Sequence, residues 1–424
     1  MKKLVVVGQG YVGLPMALRA ATCGLSVVGF DTNDQTVAQL NAGCSHIDDV
    51  SDADLACGLQ HGYRATSDPG CLSNAEAIVV CVPTPLHRDG GPDLSAIVET
   101  GRLIGDRVRP GSLIVLESTT YPGTTEEVFA PLVLGQRYDA GINLHIAFSP
   151  ERIDPGNARF KVHNTPKVVG GLTPACTEVA RNFYSQFIET VVVAKSAREA
   201  EMAKVLENTF RHVNIALMNE MVRFCHDLDI DLWNAIDVAA SKPFGYLPFR
   251  PGPGVGGHCI PIDPTYLSYR VKAELGYAFR MVELAEEINK AAPMYVADRA
   301  WAALNSIGIP MRGASVLLLG ITYKPNISDR RESPADPLGR RLRALGAEVS
   351  FHDPFVPYWQ LPTPGHQVNL SSVADVYAAA NDADLVILLQ PHDCYDLERL
   401  SECSRMLLDT RGAVPPSSLN VERL

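Results

Sequence analysis

Gly8-Gln9-Gly10-Tyr11-Val12-Gly13 stands directly after the apolar run Leu4-Val5-Val6-Val7 and before a stretch from Leu14 that reads as a helix. No other feature restricts the fold as much, because strand, spaced glycines and helix in that order make the first βα turn of a dinucleotide-binding unit. Gly8 permits the tight turn, Gly10 lets backbone approach a pyrophosphate, and Gly13 lets the helix pack closely. The helix N-terminus adds N–H donors and a positive dipole end. Asp31 ends the next apolar run, where a carboxylate accepts hydrogen bonds from the adenosine ribose hydroxyls. That carboxylate repels a 2′-phosphate, and the following Thr32, Asn33 and Asp34 include no arginine. The expected cofactor is NAD rather than NADP.

From residue 1 to about 195, short β-branched runs alternate with amphipathic stretches: Leu4 to Val7, Ser26 to Phe30, Ala77 to Val82, Leu113 to Leu116 and His145 to Phe148. Alternation of this kind predicts a parallel sheet with covering helices. From Arg198 to about Leu228, Met202, Val205, Leu206, Val213, Leu217 and Met221 keep helical spacing with no Gly or Pro, which predicts one long helix. Residues 280 to 306 predict a second. At Ser315 the alternation restarts with Val316 to Leu319, followed by Glu348 to Phe351, Asp384 to Leu389 and Met406 to Leu408. Between them, Ser333-Pro334-Ala335-Asp336 reads as a helix start with Ser at N-cap, Pro at N1 and an acid at N3. The expected fold is therefore α/β, with two Rossmann-like parallel-sheet domains joined by a helical central region. Its expected divisions are 1–197 for NAD, 198–310 for the helical part with a cysteine loop and a subunit interface, and 311–424 for the second sheet.

A chain of 424 residues, 46% hydrophobic and 20% charged, has enough apolar side chains for such cores. Its net charge of -11 argues against nucleic acid or an anionic membrane as a partner, since both reward basic surfaces. The start, Met1-Lys2-Lys3-Leu4-Val5-Val6-Val7-Gly8, loses its likeness to a secretion signal at the first glycine, so a cytoplasmic protein is expected. Ten cysteines without a Cys-x-x-Cys pair signal neither a disulfide framework nor a metal site, and most are expected to be reduced core thiols.

One cysteine stands apart. Pro251-Gly252-Pro253-Gly254-Val255-Gly256-Gly257-His258-Cys259-Ile260-Pro261-Ile262-Asp263 is too rich in glycine and proline for helix or ordinary strand and specifies a fixed loop that a ligand can approach. A helix beginning at Cys259 would favour its thiolate, and Asp263 would lie one turn on, where an acid serves water activation or proton transfer. In Glu201-Met202-Ala203-Lys204-Val205-Leu206-Glu207-Asn208, Lys204 and Asn208 are four apart and so adjacent on a helix. Most lysines so placed are solvated; with an amide beside it, this one could instead hold a developing alkoxide.

Together with Val82-Pro83-Thr84-Pro85, Glu117-Ser118-Thr119-Thr120, Ser149-Pro150-Glu151-Arg152, and Tyr323-Lys324 through Arg331-Glu332-Ser333, these segments resemble the UDP-glucose/GDP-mannose dehydrogenase superfamily along essentially the whole chain. The resemblance implies an NAD-dependent 6-dehydrogenase that oxidises the CH2OH of a UDP-sugar to a carboxylate in two hydride transfers. It implies Cys259 as the nucleophile, capturing the aldehyde as a thiohemiacetal that becomes a thioester. Lys204 and Asn208 would hold the C6 oxygen, Asp263 and Thr119 would handle water, and Glu151 would serve acid–base work or water control. Tyr11, Val12, Pro83, Thr84, Ser118 and Thr119 would join the glycines and Asp31 around NAD, with Arg331 on the pyrophosphate or the closing interface. Glu151, Arg152, Lys204, Asn208, Arg211, Phe249, Gly256, Lys324 and Arg411 would line the sugar nucleotide. A homodimer or higher homo-oligomer through the long helix is expected.

Lys242-Pro243-Phe244-Gly245-Tyr246-Leu247-Pro248-Phe249 and Ser149 through Asn157 resemble the UDP-N-acetylglucosamine branch, which implies an acetamido sugar with Arg152, Arg211 or His212 as contacts. Arg250, where that branch has an aromatic, and Pro325-Asn326 after Lys324 depart from its pattern. Two rival readings are a two-electron dehydrogenase of the 6-phosphogluconate type, which has no use for Cys259, and an NAD-binding redox sensor, for which no DNA-binding signal is present.

Overall fold

A computed structural model describes residues 2–87, 91–153, 157, 159–363, 366–415 and 420–424. Met1 and Asp154, Pro155 and Gly156 of the Ser149–Asn157 segment lie outside them. The chain forms two compact units, one of Met1–Glu207 with Thr265–Gly276 and one of Asn208–Pro264 with Tyr277–Leu424.

The first unit is built on a sheet of β1 (Lys3–Val7), β2 (Ser26–Phe30), β3 (Arg64–Thr66), β4 (Ala77–Val80), β5 (Leu113–Leu116), β6 (His145–Phe148), β7 (Lys167–Gly171) and β8 (Val191–Val193), in the order β3-β2-β1-β4-β5-β6-β7-β8. All pairings are parallel except β6 with β7. The central strands are apolar throughout because both faces are covered. Leu4, Val6, Ala77, Val79, Leu113 and Val115 point into one core with Leu14 and Ala17. Their alternates Val5, Val7, Ile78, Val80, Ile114 and Leu116 point into the other with Ile97 and Phe129.

The second unit carries β9 (Ser315–Leu319), β10 (Glu348–His352), β13 (Leu385–Leu388), β14 (Leu407–Asp409) and β15 (Val421–Arg423) in the parallel order β10-β9-β13-β14-β15. An antiparallel hairpin, β11 (Tyr358–Thr363) with β12 (His366–Ser371), stands beside it. One face of this sheet packs on Val296, Ala297, Ala300 and Leu304 of the helix Arg280–Ser306 and on Met218 and Val222 of the long helix Ala197–Asp227.

The expected α/β fold with a helical middle is what the chain adopts, with differences in detail. The third expected strand stops at Val80, two residues early, as Cys81 and Val82 leave the sheet. The strands β3, β7, β8, β15 and the hairpin were not expected. The helix expected to be capped by Ser333 spans Ala335–Ala344 with Pro334 at N-cap. Ser333 instead donates its hydroxyl to Ile321 O at 2.7 Å and accepts from Ala335 N at 3.2 Å. Nor are most cysteines core thiols: only Cys176 and Cys225 are buried, four are exposed, and none forms a disulfide. Among the described residues no helix is long and apolar enough to cross a membrane.

Candidate active site

In the first unit, the expected cofactor residues other than Arg331 collect at the carboxyl ends of β1, β2, β4 and β5, the edge where the strand order reverses and open α/β sheets bind ligands. Gly8 has φ +87, and a Cβ there would meet Cys81 O at 2.5 Å. A Cβ on Gly13 would sit 1.9 Å from Gly8 O, so the helix Gly13–Thr22 reaches the strand only because the side chain is missing. Gly10 is different: nothing lies within 4 Å of the position its Cβ would take, which leaves space over the turn for a pyrophosphate. Asp31 is tied to this turn, accepting from Gln9 N and Asn33 N at 2.9 Å each. These residues fit a bound dinucleotide.

Gln9, which drew no attention in the sequence, is wholly buried and stiffens the turn from beneath. Its amide donates to Val6 O at 2.8 Å and accepts from Tyr63 Oη at 2.8 Å. The loops after β4 and β5 are laced together as well, with Thr84 Oγ1 donating to Thr119 O at 2.9 Å and Ser118 Oγ to Val82 O at 2.8 Å. Buried Glu201 pins the next segment, accepting from Thr125 N at 2.8 Å, Thr125 Oγ1 at 2.6 Å and Gly123 N. Burial raises its pKa, against which those three bonds pull.

Lys204 is buried, and its ammonium donates to Glu151 O. It is no solvated face residue. The Glu151 carboxylate accepts from Arg152 N at 2.7 Å and from Ile153 N, while the Arg152 guanidinium lies 2.8 Å from Glu207. Behind Glu151 stand Lys167 and Glu117, which sequence reasoning missed as a pair. Lys167 Nζ is 2.8 Å from Glu117 Oε2 and 3.6 Å from Glu151 Oε2. Burial raises the Glu117 pKa; burial alone would lower that of Lys167, but the two carboxylates outweigh it and raise it. A lysine opening an otherwise apolar run, Lys167-Val168-Val169, was the available signal.

In the second unit, Asn208 and Asp263 come together as expected. The Asn208 amide donates to Asp263 Oδ2 and accepts from Arg211, and both Asn208 and Asp263 are buried. Cys259 does not begin a helix. It occupies an exposed turn whose carbonyl accepts from Asp263 N at 2.9 Å, and the helix Asp263–Leu275 starts four residues later. The glycines before it are sterically required: a Cβ on Gly256 would meet Glu332 O at 2.7 Å, and one on Gly257, at φ +85, the Tyr323 ring at 2.8 Å. Gly257 N donates to Arg331 O at 2.9 Å, and the Arg331 guanidinium is held by Asp329 at 2.6 Å. Burial and then Arg331 lower the His258 pKa.

Arg411 donates from Nε to Leu389 O at 2.7 Å and covers Gly252, where a Cβ would fall 2.8 Å from its Nη1. Burial pushes its pKa down to about 10, so it stays charged at neutral pH. Gly252 N in turn donates to Asn219 at 2.9 Å, Asn219 to Asn289 at 2.9 Å, and Asn289 to His212 O at 3.2 Å. This buried ladder holds the front of the cysteine loop, and it places His212 in the interior beside Glu286 at 3.4 Å. The Lys324 carbonyl accepts from Thr322 Oγ1 at 2.9 Å. Phe249 packs edge-on to Phe210 at 5.6 Å. The two departures have structural reasons. Arg250 pairs with Asp237 and lies over the Trp233 ring, and Asn326 adopts φ +63 with its N–H on His392 Nδ1 at 2.9 Å.

The chain matches the UDP-glucose/GDP-mannose dehydrogenase family in all three of its parts: the NAD binding domain over residues 2–188, the central domain over 198–291 and the UDP binding domain over 317–416. It belongs to that family. This member is thus an NAD-dependent nucleotide-sugar dehydrogenase. It is 35% identical to the NDP-N-acetyl-D-galactosaminuronic acid dehydrogenase of Ralstonia nicotianae, over 97% of this chain and 96% of that one. With the UDP-N-acetyl-D-mannosamine dehydrogenase of Escherichia coli it shares 33% identity, over 91% of this chain and 93% of the relative. Among solved structures, the UDP-D-ManNAc dehydrogenase of Pyrococcus horikoshii superposes with a TM-score of 0.88 at 29% identity, covering 99% of this chain and 98% of that one.

Proposed function

We propose that this dehydrogenase oxidises the C6 hydroxymethyl of a UDP-N-acetylhexosamine to the carboxylate, keeping the sugar on Cys259 between two hydride transfers. The observation that carries this is the order built around Cys259: an exposed thiol in a loop whose glycines admit no side chain, joined through its carbonyl to Asp263, itself bonded to Asn208. NAD, held by the Gly8–Gly13 turn and Asp31, supplies the hydride acceptor for both oxidations. Tyr11, Val12, Pro83, Thr84, Ser118, Thr119 and Arg331 are assigned to its surroundings.

The Cys259 thiolate adds to the C6 aldehyde formed in the first oxidation, giving a thiohemiacetal and preventing escape of the aldehyde. Loss of a second hydride from C6 leaves a thioester. Water then bonds to C6, the C–S bond breaks, and thiolate and carboxylate are released. Lys204 and Asn208 donate to the C6 oxygen as its charge develops. Glu151, with Asp263 and Thr119, orients the water and takes its proton. Arg152, Arg211, Phe249, Gly256, Lys324 and Arg411 are assigned to the UDP-sugar.

The names of the relatives support the acetamido group, and they favour the manno or galacto configuration over the gluco one that the sequence segments suggested. Incubation with NAD and UDP-glucose, UDP-N-acetylglucosamine, UDP-N-acetylgalactosamine, UDP-N-acetylmannosamine and GDP-mannose tests this. Two NADH per sugar are expected, with an N-acetylhexosamine as the best substrate. Cys259→Ser should lose turnover to acid yet bind both ligands. One NADH per sugar with a keto product, or uronic acid made at the parental rate by Cys259→Ala, would refute the assignment.

The working domains are proposed as 1–197, 198–310 and 311–424. A homodimer through the long helix is supported by exposed Leu206, Phe210, Leu217 and Phe224 along it. A reactive thiol and ten cysteines without a disulfide suit a reducing, cytoplasmic setting.

A further inference from the structure

We infer that Lys167, braced by Glu117, is the positioning residue for the Glu151 carboxylate, an inference that rests on the reading of Glu151 as the group controlling the hydrolytic water. The placement follows from topology. β5 and β6 run parallel and deliver Glu117 and Glu151 just past their carboxyl ends, whereas β7 runs antiparallel to β6, with Phe148 opposite Gly170. The first residue of β7, Lys167, therefore arrives at the same edge as the two acids.

Both oxygens of Glu151 are held. Oε1 takes the amides of Arg152 and Ile153, and Oε2 faces the Lys167 ammonium at 3.6 Å. Lys167 is kept from closing fully on it by Glu117 at 2.8 Å, and Glu117 is fixed from its far side by the Tyr184 hydroxyl. An ion pair serving stability alone needs one acid for one base; here Glu117, buried, and Glu151, partly buried, share one buried ammonium. A cavity of about 10 Å³ lined by Glu151, Lys167 and Tyr184 among others is about the size of one water. The remaining charged or titratable neighbours are Lys204 on the Glu151 carbonyl, the Arg152–Glu207 pair, and the Cys81 thiol, whose pKa burial pushes well up.

The test uses the full chain with NAD and the best sugar of the panel. Acid-quenched reactions are read by intact mass for a sugar adduct on Cys259, and NADH is followed through the first turnover and the steady state. Lys167→Met should lower kcat by about a hundredfold, the scale of a catalytic group misplaced by about 1 Å, with KM little changed, the first NADH burst preserved and the adduct accumulating. Lys167→Arg, which keeps the charge, should return kcat to within about fivefold of the parent. Glu117→Gln lets the ammonium close on Glu151 and should also accumulate adduct, so it decides the matter should the Met variant fail to fold. Glu151→Gln is the reference. If it stalls hydrolysis while a folded Lys167→Met or Glu117→Gln turns over like the parent, the positioning role is wrong. If Glu151→Gln itself turns over normally, the reading of Glu151 falls and takes the role with it. A burst lost in proportion to steady-state turnover, without adduct, would mark Lys167 as structural only and overturn the inference.

Discussion

Gly10 and Gly13 sit in one turn, yet alanine at each should fail in opposite ways. At Gly13 the new Cβ would lie 1.9 Å from Gly8 O and 3.2 Å from Val6 Cγ1, so the helix start must retreat by roughly 1.5 Å from a strand packed on both faces. Overpacking of that size costs about 3 kcal/mol, which lowers the melting temperature by roughly 6–12 °C for a unit of this length. At Gly10 nothing lies within 4 Å, so alanine disturbs no contact within the chain and restricts the unfolded state, a gain of at most about 1 kcal/mol. Its methyl instead fills the space the pyrophosphate needs, and NAD affinity should fall about tenfold or more, or about 1.4 kcal/mol. Thermal melts without ligand and a calorimetric NAD titration separate the two effects. Gly13→Ala should melt early, and Gly10→Ala should melt with the parent but bind NAD weakly. Parental NAD affinity in folded Gly10→Ala would refute the idea that backbone approach at this turn holds the dinucleotide.

Two further outcomes follow from buried polar groups. Glu201→Gln replaces one of two acceptor oxygens with a donor, leaving either Gly123 N or Thr125 N without its bond, so the variant should lose about 1–3 kcal/mol, read as an earlier melt. A melting temperature equal to the parent's would show that the carboxylate is dispensable there. His212 has its pKa lowered, by burial first and against the pull of Glu286. As pH falls through the usual histidine range the unfolded chain takes up a proton that the folded one refuses, so the stability this group contributes is present above about pH 6.5 and lost below it, with a slope of up to about 1.4 kcal/mol per pH unit. His212→Gln should flatten the stability–pH curve between that range and the folded value; an unchanged slope would count against the argument.

What the sequence reveals here is what local periodicity encodes. β1, β4 and β5 were legible because their apolar residues alternate between two cores, and the helix Ala197–Asp227 because no Gly or Pro interrupts its rhythm. β7 was not, since Lys167 and two glycines leave only two apolar residues in five. The hairpin buries Trp359 and Leu361 in alternation, a pattern too short and too broken by Pro362 to stand out. Burial of Lys204 and the scarcity of buried cysteines were likewise illegible, because both depend on what packs against an element rather than on its own spacing.

The Glu117–Lys167–Glu151 group makes the limit sharpest. Its members lie on or just past three strands and are far apart in the chain, and each alone reads as a charged residue at a strand end, which is ordinarily solvated. One reversal of strand direction brings them to a single edge: had β7 run parallel to β6, Lys167 would open at the amino edge, away from both acids. The buried Glu117 carboxylate without it would then carry an uncompensated desolvation cost. The sign of one strand pairing thus decides whether this edge brings an ammonium to Glu117 and Glu151, and no local pattern in the sequence records that sign.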